Sequence, residues 1–220
     1  MTRTANPKSE QVGSGSWHVI VSGGAGDVQS VSLLTQLQSP SKLAARKCAG
    51  LPIPSLRRAN WPVLGLLCRS MGTIFVDRNS RLDVLRVNRL IEQALRSGKG
   101  VLLFPEGTST PGSEVLPFHS ALLEPAVQEG CPVSFATVSY RTPVGQAPAH
   151  LSVCWWGEMS FLPHFYRFLQ LKSVEATLVF GSHSIRADDR KLLARKLWQA
   201  VKDEFIPVVE TEELCKTPTH

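Results

Sequence analysis

The sequence predicts an α/β fold in which a central mixed sheet is flanked by helices. Short runs rich in β-branched and aromatic residues alternate along the chain with stretches in which apolar residues recur at helical spacing. Of the 220 residues, 43% are hydrophobic and 19% are charged, which is enough apolar material for a sizeable core. No internal repeat is found, so the strands and helices are expected to form one alternating α/β domain.

Strands are predicted where β-branched and aromatic residues run together between Gly or Pro residues. The run GTIFVDR, which opens at Gly72, and the run PVSFATVSY are typical examples. In chain order the predicted strands are 17–22, 72–78, the run within 99–110 that ends in a Pro/Gly turn, 132–140, 151–157 and 175–182.

Helices are predicted where apolar residues recur three or four positions apart. The segment 80–97 has this pattern, and Ser97 with Gly98 ends it. The segment 188–205 is amphipathic, and Asp188 and Asp189 are expected to cap its start. The remaining predictions are a weak helix at 30–48, a loop at 49–60, one or two helical turns at 61–71 and a short helix within 116–130.

Cysteine usage and hydropathy exclude several classes of protein. The five cysteines are scattered and form no C-x-x-C pair, so neither a zinc knuckle nor a disulfide framework is predicted. The N-terminal segment MTRTANPKSE lacks the apolar stretch of a signal peptide, and no run of roughly 18 apolar residues exists. We therefore expect a loose polar tail at 1–16, a single domain at 17–205, a C-terminal tail at 206–220 and at most peripheral contact with a membrane.

The net charge of +6 is concentrated in the first half of the chain. Residues 1–100 hold 14 Lys and Arg against 5 Asp and Glu, whereas residues 101–220 hold 10 against 13. This asymmetry favours an anionic partner. Nucleic acid is disfavoured, because no binding motif is present and the basic residues of 42–58 are not interleaved with aromatic ones.

A second candidate for the anionic partner is a membrane surface. Arg57, Arg58 and Arg69 lie near Trp61 in the sequence, and this combination suits anionic lipid headgroups. A solvated basic face explains the same residues equally well, and the two interpretations stay open.

The motif that points most directly to chemistry is FPEGT at 104–108. A buried strand that ends in this turn brings Glu106, Gly107 and Thr108 to the carboxyl end of a sheet, where open α/β sheets bind ligands. Gly107 allows close approach of the backbone to a ligand, and Thr108 offers a hydroxyl. Arg78, at the end of the preceding predicted strand, offers a bidentate fork for phosphate. Taken by itself, the FPEGT motif is explained equally well by an ordinary turn from a strand into a loop, without ligand binding.

Four ordered blocks of the sequence resemble the glycerophospholipid acyltransferases, and most of all the lysophosphatidic acid acyltransferases. The blocks are GTIFVDR, VLLFPEGTST, LPFHSALLEPA and PVSFATVSY, and the likeness covers roughly 61–205, while 23–60 is atypical. In that family the Arg of the first block and the Glu-Gly-Thr of the second bind the glycerol phosphate of the acceptor. The resemblance therefore implies acceptor binding by Arg78, Glu106, Gly107 and Thr108.

The resemblance also implies a reaction, its partners and a location. The reaction is transfer of an acyl group from acyl-CoA or acyl-carrier protein to the free hydroxyl of lysophosphatidic acid, which gives phosphatidic acid in bacterial phospholipid biosynthesis. The thioester is a co-substrate, so no cofactor and no metal is implied. The expected place is the cytoplasmic face of an anionic membrane, with Trp155, Trp156, Phe161 and Phe165 as candidates for an acyl-chain route or simply for core packing.

The sequence departs from the family at the block that carries the catalytic base. The family motif N-H-x-x-x-x-D, in which the His is the general base and the Asp orients it, falls on Gly24 and Gln29. Neither residue can do that work, so the catalytic residues are unknown at this stage. A second H-x-x-x-x-D runs from His183 to Asp188, but it follows the FPEG block instead of preceding it and is interpreted as a chance match.

Several explanations of the missing base stay open. The chain is either a catalytically impaired homologue that acts as a lipid-binding protein, or an enzyme in which another group is the base. The segment 23–58 is either a genuine divergence or the product of a shifted reading frame. An acyltransferase for another acceptor, such as a lyso-aminolipid with a zwitterionic head, is a further alternative.

Overall fold

The computed structural model describes residues 19–23, 49–51, 74–76, 80–98 and 100–210. Its strands are β1 (Val19–Gly23), β2 (Ala49–Leu51), β3 (Ile74–Phe75), β4 (Val101–Leu103), β5 (Val133–Arg141) and β6 (Glu175–Phe180). Its helices are α1 (Arg81–Arg96), α2 (Glu124–Gln128), α3 (Ala149–Ser152), α4 (Phe161–Leu169) and α5 (Arg190–Glu204), with a 3-10 turn at Ser120–Leu123.

Four of these strands form a mixed sheet in the order β4-β1-β5-β6. β1 pairs in parallel with both β4 and β5, and β6 is antiparallel to β5. Val21 is level with Leu103 on one side and with Phe135 on the other, so β1 and β4 leave the sheet at the same edge. β2 and β3 pair in parallel as a separate ribbon, and β2 lies against β4. The predicted α/β class with a mixed central sheet is confirmed.

The two longest helices pack on one face of this sheet because their apolar residues repeat at helical spacing. α1 begins at the N-cap Ser80, whose Oγ accepts a hydrogen bond from the amide of Asp83 at 3.3 Å. α5 buries Leu193, Leu197 and Val201, four residues apart, in the same core cluster as the buried residues of α1. Both predicted helices are confirmed within two residues at each end.

The opposite face of the sheet carries a second core cluster. Val138 and Tyr140 of β5 alternate with Val133 and Phe135, which belong to the first cluster, so β5 is buried on both faces. The second cluster also holds residues of α3, and Phe168 of α4 packs against it. Helices on both faces of β5 thus explain why nearly all of its residues are buried.

The predicted strand at 151–157 is wrong. The chain forms the short helix α3 and then an irregular segment in which two indole N–H groups donate to backbone carbonyls. Trp155 Nε1 donates to Met159 at 2.7 Å, and Trp156 Nε1 donates to His150 at 2.8 Å. These local hydrogen bonds override the β propensity of the Val and Trp residues that favoured a strand.

Other differences are smaller. Residues 49–51, predicted as loop, form β2, and the predicted helix within 116–130 is split into the 3-10 turn and α2. α4 was not predicted, because Pro163 lies within it and proline normally disfavours a helix. Pro163 is the third residue of α4, where a backbone N–H has no intrahelical acceptor, so the ring is tolerated there. The predictions for 30–48 and 61–71 lie outside the described residues.

The residues that follow α5 pack on the domain. Val208 donates its amide N–H to the carbonyl of Gly112 at 2.8 Å, and Val209 is buried. None of the helices in the described ranges has the length and apolar character needed to cross a membrane.

Candidate acceptor site

The FPEGT turn follows β4 directly and is enclosed by the domain. Phe104, Pro105, Glu106 and Gly107 are all buried, and Thr108 is the first exposed residue after the strand. Gly107 has φ +81°, a left-handed conformation that favours glycine, and this explains why a glycine stands at this point of the turn. The backbone therefore turns sharply at the edge of the sheet and brings Thr108 to the surface.

Glu106 holds the loop that follows the turn. The residue is 7% exposed, and its Oε2 accepts a hydrogen bond from the amide of Leu116 at 2.8 Å. Within the same loop, Thr110 Oγ1 accepts from the amide of Gly112 at 3.2 Å. A buried carboxylate is stable only when its oxygens are hydrogen-bonded, and the Leu116 amide meets part of that requirement.

The 3-10 turn brings a histidine to the same place. The amide of His119 donates to the carbonyl of Pro105 at 2.8 Å, so the main chain of His119 lies beside the FPEGT turn. The His119 side chain is exposed. Within the LPFHS block, the sequence alone favours a packing or surface role for His119. His119 lies fourteen positions after Pro105, and nothing in the LPFHS block indicates that the two residues are hydrogen-bonded.

Of the residues predicted to bind the acceptor, Glu106, Gly107 and Thr108 are consecutive at the β4 exit. Arg78 lies outside the described residues. The strand that precedes it, β3, ends at Phe75 and pairs with β2, which lies against β4. The grouping of Arg78 with Glu106 stays a prediction.

The positions expected for the catalytic pair, Gly24 and Gln29, also lie outside the described residues. β1 ends at Gly23, one residue before Gly24, and its carboxyl end is adjacent to that of β4. His18, Asp27 and the basic residues near Trp61 are likewise outside the described ranges.

The second H-x-x-x-x-D is not assembled as a catalytic pair. His183 is exposed, and its ring packs edge-on against Phe135 with 5.9 Å between ring centroids. Its Nδ1 lies 3.3 Å from Ser182 Oγ. In the described part of the chain no hydrogen bond or ion pair joins His183 to Asp188, and Asp189, not Asp188, caps α5. These contacts agree with the interpretation of this motif as a chance match.

Two open cavities lie along α5. The larger, about 610 Å³, is lined by Phe135, residues 183–186 and the α5 residues Lys196, Gln199, Ala200, Asp203 and Glu204. The smaller, about 390 Å³, is bordered by Pro117, Phe118 and Ser120 and by the basic side chains of Lys191 and Arg195. The smaller cavity flanks the 3-10 turn, and His119, the residue before this turn, contacts Pro105.

Cys131 and Pro132 directly precede β5, and the resemblance to the glycerophospholipid acyltransferases relates them to a proline block that is expected to be an element of the fold and of the acyl site. Cys131 is buried, and burial raises the pKa of its thiol, with the charge of Glu129 adding to the rise. The thiol is therefore held protonated and packs as a small apolar group. Within the described ranges no three His, Cys, Asp or Glu side chains are grouped as metal ligands.

Comparisons with known proteins agree with the motifs. Residues 52–140 match the family model described as Acyltransferase. The chain is 28% identical over 145 residues to the 1-acyl-sn-glycerol-3-phosphate acyltransferase of Neisseria gonorrhoeae, covering 65% of this chain and 56% of that protein. It is 36% identical over 151 residues to the lyso-ornithine lipid O-acyltransferase of Rhodobacter capsulatus, covering 66% of this chain and 54% of that protein.

The fold is similar to a solved structure. The crystal structure of the 1-acyl-sn-glycerophosphate acyltransferase from Thermotoga maritima matches with a TM-score of 0.51 at 18% identity, covering 97% of this chain and 73% of that one. The chain spans only 54% to 56% of the length of the two curated relatives above. Residues 52–140 therefore match the acyltransferase family model, and the predicted resemblance to the glycerophospholipid acyltransferases is confirmed.

Proposed function

We propose that this chain transfers an acyl group from acyl-CoA or acyl-carrier protein to the free hydroxyl of lysophosphatidic acid, forming phosphatidic acid. The observation that supports this most directly is the FPEGT turn at the carboxyl edge of the sheet, which is buried up to Gly107 and exposes Thr108, within a segment that matches the acyltransferase family model. We place the reaction at the cytoplasmic face of a membrane, with the chain bound peripherally.

The chemistry requires a base and an acceptor site. The acceptor oxygen attacks the thioester carbonyl, the C–O bond of the new ester forms and the C–S bond breaks. The proton leaves the hydroxyl through a base and ends on the departing thiol. Because the thioester is already activated and belongs to the donor, the proposal requires no metal and no bound cofactor.

The acceptor contacts follow from charge. Glu106 is an acidic group that already accepts from the Leu116 amide, so it holds the loop and does not bind phosphate, which it would repel. In this proposal Arg78 offers the bidentate fork for the phosphate, and the backbone at Gly107 and the Thr108 hydroxyl bind its oxygens or the glycerol.

The base in this proposal is His119. Gly24 and Gln29 carry no basic side chain, whereas the main chain of His119 is hydrogen-bonded to Pro105 beside the acceptor residues. Among the described histidines His119 alone has this contact with the β4 exit; His183 packs against Phe135 instead.

A second candidate acceptor is a lyso-ornithine lipid. The chain is more similar to the Rhodobacter capsulatus lyso-ornithine lipid O-acyltransferase, at 36% identity, than to the Neisseria gonorrhoeae enzyme, at 28%. A third possibility, a lipid-binding homologue without turnover, is favoured by Gly24 and Gln29.

Thiol release from acyl-CoA distinguishes these functions. The purified chain is assayed with lysophosphatidic acid, with lyso-ornithine lipid and with no acceptor, alongside His119→Ala, His183→Ala and the double variant Gly24→His/Gln29→Asp. We expect release that depends on lysophosphatidic acid, that falls about 100-fold or more in His119→Ala and that is unchanged in His183→Ala.

Each other outcome contradicts a defined part of the proposal. Faster thiol release with lyso-ornithine lipid than with lysophosphatidic acid would identify lyso-ornithine lipid as the preferred acceptor. Full activity in His119→Ala removes this residue as the base. Silence of the unmodified chain together with activity of the double variant would identify a lipid-binding homologue whose acceptor site is intact.

A further inference from the structure

The outward face of α4 is apolar. Four of its side chains are among the most exposed large hydrophobic groups of the described chain: Leu162 at 73%, Tyr166 at 65%, Leu169 at 64% and Phe165 at 44%. Their spacing of three and four residues places them on a single stripe of the helix. A helix on the surface of a soluble domain normally presents polar residues there, so this stripe requires a partner that is itself apolar.

The inward face of α4 is occupied by different residues, so the apolar stripe is not a misplaced core. His164 is buried, and Phe168 packs against the cluster that contains Val138 and Tyr140. Phe161 stacks on Phe165 with 5.5 Å between ring centroids, which fixes the aromatic side of the stripe to the domain.

The face of the sheet that carries α4 also has exposed apolar side chains. Ala176 of β6 packs in the same cluster as Phe168, and Leu178 and Phe180 share its face because side chains alternate along a strand. Leu178 is 39% exposed and Phe180 is 59% exposed. The face of the sheet that carries α4 therefore has apolar side chains on both the helix and the edge strand.

We infer that this face, the outward stripe of α4 with Leu178 and Phe180 of β6, docks on the surface of an anionic lipid bilayer. α4 has nine residues and is about 14 Å long, too short to cross a bilayer, so it would lie in the plane of the interface. Arg167 is the only Asp, Glu, Lys or Arg residue of α4, and Lys172 follows the helix, which suits anionic headgroups; Glu158 and Glu175 lie outside the helix on either side. Tyr166 has an apolar ring and a polar hydroxyl, the combination favoured at the membrane–water boundary.

A second copy of this chain is a poorer occupant. Stable protein interfaces use roughly 20–30 residues on each side, and the stripe with its two neighbours on β6 offers six exposed apolar side chains. The choice of a bilayer also rests on the proposed function, because a lysophospholipid acceptor is held in a membrane by its acyl chain.

Vesicle flotation tests the inference. The probes are vesicles of phosphatidylcholine with phosphatidylglycerol, and of phosphatidylcholine alone, with no acyl acceptor in either. The variant Leu162→Gln/Leu169→Gln removes two apolar groups from the stripe. The matched control Leu82→Gln/Val144→Gln makes the same chemical change at two exposed positions on α1 and on the loop after β5. All four positions are exposed, so the fold is retained, and circular dichroism checks it.

We expect the unmodified chain and the control to bind anionic vesicles, and the α4 variant to bind about tenfold or more weakly. Equal binding by the α4 variant, or no binding by the unmodified chain, overturns the inference. A dimer in the absence of vesicles that the α4 variant abolishes would make the face an interface between copies.

Failure of this inference and failure of the proposed function are distinguishable. Flotation requires no turnover, and thiol release with a monodisperse short-chain lysophosphatidic acid requires no vesicle. Vesicle binding that depends on α4 without turnover would support the docking surface and contradict the proposed function. Turnover without vesicle binding would support the function and contradict the docking surface.

Discussion

His164 is a buried ionisable residue on the inward side of α4. It is 8% exposed, and among the described residues its Nδ1 has no hydrogen-bond partner. Burial lowers the pKa of His164 below its ordinary value of 6.5, the neighbouring Val153 carbonyl partly opposes this, and the charge of Arg167 adds to the lowering. The ring is therefore held neutral in the folded chain under conditions in which the unfolded chain takes up a proton.

We expect the free energy of unfolding to fall as pH is lowered through 6.5. Above pH 6.5 both states hold the ring neutral, and between 6.5 and the lower folded-state pKa only the unfolded state gains the proton, so acidification through this range favours unfolding. His164→Phe keeps an aromatic ring and removes this term. Urea unfolding of both proteins across the pH range measures the difference, and parallel pH profiles would contradict the assignment.

Glu106 shows how far the site could be predicted residue by residue. The strand and the FPEGT turn identify a carboxylate, a glycine and a hydroxyl at a sheet edge, and the structure places them there. The partner of Glu106, the Leu116 amide, depends on how ten residues of loop close back on the turn. Loop closure of that kind leaves no periodic signal in the sequence, and the same is true of the contact between His119 and Pro105.

At the scale of the elements, the positions of the two long helices were predicted more accurately than the irregular segments. The amphipathic pattern located α1 and α5, because burial repeats every three or four residues in both. The indole hydrogen bonds after α3 and the early proline of α4 are local tertiary features that propensity does not capture. Asp188 and Asp189 were both expected to cap α5, and in the structure only Asp189 does so.

Asp189 caps α5 through hydrogen bonds from the amides of Lys191 and Leu192, both at 2.9 Å. These amides, first that of Leu192, lower the pKa of Asp189 below its ordinary value of 3.8. We expect Asp189→Ala to lower Tm by a few degrees, because two amides of the first turn lose their acceptor. Asp188→Ala, which removes a neighbouring carboxylate of equal charge, is the matched control.

Thermal unfolding followed by circular dichroism measures both variants. The folded-state pKa is depressed, so the contribution of the cap is present above the ordinary pKa of 3.8 and is lost as pH falls through the lower folded-state value. The gap in Tm between Asp189→Ala and the unmodified chain should therefore close in strong acid. Equal effects of Asp188→Ala and Asp189→Ala would contradict the assignment of the cap.

At the scale of the whole molecule, the sheet topology sets where chemistry can occur. Three parallel strands, β4, β1 and β5, run side by side, and the exits of β1 and β4 are adjacent. The α/β class and most of the strands of this sheet follow from runs of apolar and β-branched residues. Strand order and the small β2–β3 ribbon do not, because pairing between distant segments is decided by packing that a single sequence pattern does not record.

The same topology divides the molecule into a face with α1 and α5 and a face with α3 and α4. We propose that the acceptor residues lie at the edge between these faces and that the apolar stripe of α4 rests on the bilayer. A lipid acceptor would then reach the FPEGT turn while its acyl chain stays in the membrane.

Binding of a short-chain lysophosphatidic acid to the purified chain, measured by calorimetry without acyl donor or vesicles, tests the acceptor site most directly. We predict that Arg78→Gln raises Kd about tenfold or more, and that Thr108→Val raises it about two- to tenfold through loss of a single hydroxyl. Thr177→Val, the same change at an exposed position on β6, should leave Kd unchanged. Equal affinities in all four proteins, or no binding by the unmodified chain, would contradict the placement of the acceptor at the β4 exit.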